Sequence, residues 1–436
     1  MGESDHEVTS DQGGAAGDEG APSRGVLDRL GAAPRAAAEF VGRRALARAT
    51  RAVPRTLHFV GSALWNGEVA ESLPAPRLSV GLAAQVAMDE VLLAMAMTPS
   101  RFPRHEDYVR VAREMADAEA LYSELGWLDD PASYHRTPPP LDADDVTSSH
   151  GWALGLGYRR LSWESGYAPH PADPGGERWM AFEPNRTASA VVVSHDDGPR
   201  PWVVAVHGFC MGFPFMDFQG LGTARLHRDL GFNVAMPTLP LHGPRRVTLV
   251  SGEPFLSFEL MNAVHGLTQA AWDVRRLVDW IREQGASSIT LYGVSLGAYA
   301  VSLLAGLDDR FDGVVAGVPV SDFPGLFHRH SPQHVRARAI EHEVMGTAAD
   351  RVFRVVSPLS FGAKVPHQHR YIFAGYGDRL ALPDQAQALW QHWEQPSISW
   401  YSGNHVGYLW SKKVSRFVAA SLTEVAASGA PVTSRS

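Results

Sequence analysis

Cysteine is almost missing from these 436 residues. Cys210 stands alone, so no intramolecular disulfide can close and nothing calls for an oxidising compartment. Basic charge is also in short supply: 39 Lys and Arg face 47 Asp and Glu, and the formal net charge of -8 argues against a nucleic-acid partner. Long apolar runs are missing too. The longest, Val80 to Met97, is broken by Gln85, Asp89 and Glu90, whereas a bilayer-spanning helix needs about 20 nearly uncharged residues. The opening residues supply neither the positive start nor the short apolar run of a secretory signal. His6 occupies the position where N-myristoylation wants Ser or Thr. No internal repeat is visible. These absences together lead us to expect a soluble, cytoplasmic chain with no transmembrane segment.

What is present suits a packed core, with 45% hydrophobic and 20% charged residues. Residues 1–20 hold Glu3, Asp5, Glu7, Asp11, Asp18 and Glu19 with no Lys or Arg, and too little apolar surface to offset the cost of ordering. From Arg24 to Arg55 the balance reverses, with eight arginines against Asp28 and Glu39. A basic, partly apolar helix of this kind can rest on anionic lipid. The plainer reading is a solvated arm against the main domain, because its apolar face is mostly alanine. Val80 to Met97 reads as an amphipathic helix. A second helix is expected from His105 to Leu125, where Tyr108, Val111, Met115, Ala118 and Tyr122 recur at helical spacing. Pro131, Pro138, Pro139 and Pro140, then the acidic stretch from Asp142 to Ser149, read as a linker.

Beyond residue 150 short β-branched runs alternate with helices, the pattern of an α/β sheet. Tyr158 to Glu164, Arg178 to Phe182 and Ala188 to Ser194 read as early antiparallel strands. Six continuous apolar runs follow, typical of parallel strands covered on both faces: Trp202 to Val206, Phe232 to Met236, Ile289 to Tyr292, Gly313 to Val318, Tyr371 to Ala374 and Ile398 to Tyr401. Between them the spacing predicts a long helix over about 258–284, and a final helix runs over about 411–425.

The run Ile289 to Tyr292 leads straight into Gly293-Val294-Ser295-Leu296-Gly297, followed by a helix-forming stretch. This is G-x-S-x-G in the strand-turn-helix setting that lifts a serine hydroxyl above a sheet, with glycines where the turn leaves no room for a side chain. Here the chain resembles the α/β-hydrolase superfamily of serine esterases and lipases, over roughly its last two thirds. Three further segments match the family's pattern: His207-Gly208-Phe209-Cys210 after an early strand, Gly375-Tyr376-Gly377-Asp378 after a late one, and Gly403-Asn404-His405 after the last. The resemblance implies that Ser295 is the nucleophile, Asp378 the acid and His405 the base, in the chain order of that fold. It also implies that the backbone amides of Phe209 and Leu296 form an oxyanion hole. Asp322 is the rival acid, because some relatives place it after the preceding strand, and Asp384 reads instead as a first-turn helix residue. His207, Cys210 and His242 border the pocket as candidate substrate contacts, though a structural turn explains Pro240 to Arg246 equally well.

His328, His330, His334 and His342 crowd the segment from Phe323 to Asp350, where the family places a cap. No cysteine accompanies them and a serine mechanism needs no ion, so neither metal nor cofactor is expected. With Arg329, Arg336 and Arg338 they make a polar, cationic cap surface. The implied organisation is an acidic tail over 1–23, a helical extension and linker over 24–149, a hydrolase domain over 150–428 with a cap at about 321–356, and a short tail over 429–436. The implied activity is cleavage of a carboxylic ester, thioester or amide of a small or lipid-like substrate through an acyl-enzyme. Acyl transfer from the same acyl-serine, or a binding protein that has lost turnover on this fold, are the alternatives.

Overall fold

The computed structural model describes residues 79–96 and 102–429. The acidic tail, the arginine-rich stretch and the last residues of the chain lie outside that range. Nine strands form one sheet: β1 (Thr147–Ala153), β2 (Leu156–Glu164), β3 (Thr187–Val193), β4 (Pro201–Val206), β5 (Asn233–Pro237), β6 (Ser288–Val294), β7 (Gly313–Gly317), β8 (Arg370–Gly375) and β9 (Ser397–Tyr401). Eleven α-helices lie among the described residues: α1 (Val80–Ala96), α2 (His105–Glu124), α3 (Gly176–Met180), α4 (Pro214–Gly220), α5 (Leu260–Glu283), α6 (Leu296–Leu307), α7 (Phe323–His330), α8 (Gln333–Glu341), α9 (Thr347–Phe353), α10 (Pro383–His392) and α11 (Lys412–Gly429).

The strands lie in the order β1-β2-β3-β5-β4-β6-β7-β8-β9. β1, β2 and β3 run antiparallel to their neighbours, and the six strands from β4 to β9 run parallel. The reversal of β4 and β5 in an otherwise sequential, mostly parallel sheet is the α/β-hydrolase fold that the resemblance implied, with an extra edge strand in front. The continuous apolar runs divide by period two. On β4, Trp202, Val204 and Val206 join one core with α2, α5 and α6, while Val203 and Ala205 join a second with α4 and α11. Burial on both faces is what makes these strands look unbroken in sequence.

Two expectations are corrected. Arg178 to Phe182 is not a strand: Gly175, at φ +73°, opens the single helical turn of α3, which buries Trp179 with its indole N–H on Gln269 Oε1 at 2.9 Å. The apolar run Trp179-Met180-Ala181-Phe182 is too short for its period to tell a strand from a helical turn. The supposed linker up to Ser149 already contains the start of β1, whose Thr-Ser-Ser-His opening is exposed at the sheet edge and carries no hydrophobic signal.

α2 buries Tyr108, Val111, Met115, Ala118 and Tyr122 as its spacing predicts. It packs on α5 and α9, so the segment before residue 150 shares the main core rather than building one of its own.

Candidate active site

At the carboxyl end of β6 the chain turns so sharply that Ser295 takes φ +56° and ψ -118°, a conformation that costs a non-glycine residue about 1–3 kcal/mol. The turn is held by Ser295 N donating to Gly317 O at 2.9 Å, and Ser295 is the one partly exposed residue in an otherwise buried stretch. The flanking glycines have no alternative. A Cβ on Gly293 would strike the carbonyl of Gly297, and one on Gly297 would strike Val206 O and come within 2.6 Å of His207 O.

The loop after β4 lies directly beside this elbow. The Cβ position of Gly208 is 3.4 Å from Ser295 Cβ, and among the described hydrogen bonds the amides of Phe209 and Leu296 have no partner. Cys210 follows at φ +66°, and burial pushes its thiol up to about 11, so it stays protonated at neutral pH. His207 and His242 are wholly buried. His207 donates from Nδ1 to Gly208 O at 2.8 Å and accepts from Leu239 N at 3.1 Å, which leaves it a loop-shaping role. His242 donates from Nδ1 to Pro240 O at 2.8 Å, and burial, with the neighbouring His207, holds its pKa well below the usual value. Neither side chain reaches a surface where substrate could meet it.

On the far side, β8 ends in a turn that places Asp378 with Oδ1 accepting from Leu380 N and Ala381 N, both at 2.9 Å. Its Oδ2 accepts from Nδ1 of His405, on the loop after β9, at 2.7 Å. Both are buried, Asp378 at 2% and His405 at 5% exposure. Burial alone would lower the pKa of His405, but the charge and hydrogen bond of Asp378, aided by the charge of Asp89, outweigh it and raise the group above its ordinary value. With Nδ1 committed to the carboxylate, Nε2 is the ring nitrogen left to accept a proton.

A short chain of contacts links the loop after β4 to the segment that follows His405. The Cβ position of Gly208 is 3.6 Å from Met211 Sδ; the methyl end of Met211 lies against Gly220, and Gly220 O accepts from the hydroxyl of Tyr408, three residues beyond His405, at 3.0 Å. Among the described hydrogen bonds none engages the Ser295 hydroxyl, so no bond joins it to His405. Such contacts are commonly loose without substrate and tighten in the reacting complex.

The rival acid is occupied elsewhere. Asp322 caps α7, its side chain accepting from Gly325 N at 3.0 Å. Asp384 sits in the first turn of α10 and accepts from Gln385 N at 2.9 Å. Three of the four cap histidines are engaged apart from one another: His330 bonds Leu380 O at 2.9 Å, His334 packs on Phe102, and His342 packs on His105 and Tyr108.

Sequence reasoning missed Asp89. From α1 it is fully buried beneath the His405 loop, with Oδ2 accepting from His405 N at 2.9 Å and Arg379 N at 3.0 Å, and Oδ1 accepting from Asn404 Nδ2 at 2.8 Å. A signal existed. Leu82, Val86, Asp89 and Leu93 advance by four, three and four along one buried stripe, so the aspartate occupies a core position where only a partnered carboxylate can stand.

No protein-family model matches the chain. It is 38% identical over 372 residues, 85% of its length, to uncharacterized protein MT2702 of Mycobacterium tuberculosis (strain CDC 1551 / Oshkosh), 88% of which is covered. It is 38% identical, over the same shares, to uncharacterized protein Rv2627c of Mycobacterium tuberculosis (strain ATCC 25618 / H37Rv). Among solved structures, an acetyl xylan esterase from Paenibacillus sp. R4 superposes with a TM-score of 0.47 at 13% identity, over 67% of this chain and 98% of that one. An S-formylglutathione hydrolase from Agrobacterium tumefaciens gives a TM-score of 0.44 at 17% identity, over 65% and 99%.

Proposed function

The chain belongs to the family of those two mycobacterial proteins, and from its α/β-hydrolase fold and the geometry of its elbow we propose that it is a serine hydrolase acting on carboxylic esters. The observation that carries the reading is the 2.7 Å bond from His405 Nδ1 to Asp378 Oδ2, taken together with a serine held at φ +56° on the elbow after β6. His405 Nε2 takes the proton of the Ser295 hydroxyl as Oγ bonds to the substrate carbonyl carbon, and Asp378 stabilises the imidazolium that results. The carbonyl oxygen gains negative charge as its π bond breaks and is received by the amides of Phe209 and Leu296. Fixed donors of this kind are worth roughly 3–4 kcal/mol each, because they meet charge that is absent from the ground state. The carbon–oxygen bond to the leaving group then breaks, the alkoxide takes the proton from His405, and an acyl-serine remains. Water activated by the same histidine attacks that ester, releases the acid and regenerates Ser295. Esters are the economical choice over amides because an alkoxide leaves more readily than an amine.

A fluorophosphonate probe tests the reading without knowledge of the substrate, since it phosphonylates an activated serine. Wild type is expected to label, Ser295→Ala to show no labelling, and Asp378→Asn to label at least a hundredfold more slowly, in line with the loss of a base-orienting carboxylate. A folded wild type that stays unlabelled would favour a binding protein on this fold. If Asp322→Asn rather than Asp378→Asn slows the reaction, the acid is Asp322. Steady-state turnover of a nitrophenyl ester with no added alcohol or amine then separates hydrolysis from transfer, because both release nitrophenol once on acylation and only hydrolysis clears the acyl-serine with water alone.

A further inference from the structure

The segment before residue 150 contributes to the site. α1 lies across the two loops that carry Asp378 and His405 and bonds to both. Besides the three bonds that Asp89 accepts, the carbonyl of Gln85 accepts from Asn404 Nδ2 at 2.9 Å and its side-chain oxygen accepts from Asn404 N at 3.2 Å. One residue on, Glu90 pairs with the Arg379 guanidinium at 3.1 Å. The same carboxylate oxygen of Asp89 therefore receives the backbone N–H of the proposed base and that of the residue after the proposed acid.

We propose that Asp89 is a positioning residue: its ionised carboxylate locks the Asp378 and His405 loops together, and the site reacts only when Asp89 is ionised and His405 neutral. The proposal rests on the serine-hydrolase reading of Ser295, Asp378 and His405.

Three N–H donors converge on Asp89, which suits an oxygen pair that only accepts; both lone pairs of Oδ2 are engaged, so a proton there would have to displace one of the two backbone N–H groups. Its surroundings make that ionisation a titratable event near neutrality. Burial first, and then the charge of Asp378, push its carboxyl up to about 7, while His405 and the two backbone N–H bonds pull the other way. The charged and titratable groups facing this cluster are Asp378 and His405 on the two loops, Arg379 paired with Glu90, Tyr401 at the end of β9, and His330 of α7 near Glu90 and Arg379. Asp89 also acts on His405, because its negative charge favours the imidazolium and raises the pH at which the base becomes free.

The test follows the rate of fluorophosphonate labelling of the full-length chain from pH 5 to 9, for wild type, Asp89→Asn, Asp89→Ala and Ser295→Ala. Asn is nearly isosteric. It can keep both backbone bonds through its oxygen and loses only the bond from Asn404 Nδ2, which retains Gln85 O as an acceptor. The expected result is a plateau rate lower by roughly tenfold in Asp89→Asn, more in Asp89→Ala, with far-UV circular dichroism unchanged; misplacement of reacting groups by about 1 Å costs up to a hundredfold. The decisive readout is the pH profile. In wild type two protons must leave, so log rate should climb with a slope approaching two at low pH; in Asp89→Asn the slope should fall to one and the midpoint should move to lower pH.

A merely structural role would lower the rate without changing the slope, since loss of the Asp89 charge moves the midpoint in either case, and an unchanged slope overturns the proposal. A wild-type slope of one overturns it as well, even if neither variant folds. A labelled wild type with an indifferent Asp89→Asn sinks this proposal and leaves the hydrolase reading standing, whereas a wild type that never labels removes both.

Discussion

His405, the proposed base, meets two opposed influences, and on that proposal their balance sets the working pH. Burial favours the neutral ring, while Asp378 and Asp89 favour the charged one and prevail. A base must be neutral to act, so activity should rise as pH passes a folded-state value above the ordinary ~6.5. Ester turnover measured from pH 5 to 9 should therefore reach half its maximum above pH 6.5, and a profile flat down to pH 5 would remove histidine as the base. The same shift bears on stability with the sign of a raised histidine. The contribution of the His405–Asp378 pair is fully present below the unfolded value and is lost as pH rises through the folded one. Asp89 is raised as well, so in the fold it holds its proton to higher pH than in the unfolded chain, and its effect on stability also declines as pH climbs from about 4 to about 7.

The elements around the site are fastened by buried polar pairs. The loop after β5 is tied to α5 by Arg245, 2% exposed, which donates to Asp273 Oδ2, Thr238 O and Asn185 O, each at 2.9 Å. Asp273 also accepts from Ser165 Oγ at 2.5 Å, bringing in the chain after β2. Removing one partner leaves a buried charge without its counterion, at a cost of about 3–5 kcal/mol, whereas replacing both by apolar residues of similar volume costs much less. Urea unfolding of Asp273→Ala should show that loss, and Arg245→Met with Asp273→Leu should recover most of it. A double variant no better than the single one would mean that the bonds to Thr238 and Asn185 dominate.

Across the whole molecule, one sheet with two faces makes two cores, and the segment before residue 150 completes the first. Tyr122 of α2 and Tyr134 both donate to Asp173, at 2.8 and 2.7 Å, beside the buried ring of His265 on α5. Tyr122→Phe removes one donor from a buried carboxylate, so a loss of about 1–3 kcal/mol in urea unfolding is expected, with fluorophosphonate labelling at 25 °C retained. A neutral result would show that α2 is held by its apolar stripe alone. No described helix is long and apolar enough to cross a membrane.

The elements that could be read from the chain were those whose signal is local. Six parallel strands, the long α5 and the elbow around Ser295 follow from apolar runs, helical spacing and paired glycines, because burial on both faces or a forbidden Cβ leaves its mark on consecutive residues. The single turn of α3 and the polar edge strand β1 carry no such mark. Sequence alone supplied the candidate side chains Ser295, Asp378 and His405 and their chain order. Only the tertiary structure decided that His207 and His242 are sealed inside, that His405 bonds Asp378 while Asp322 caps a helix, and that Asp89 reaches His405 from about 300 residues away. The physical reason is that a hydrogen bond is set by where two strands' ends and a helix face meet in space, and sequence spacing holds no record of that meeting.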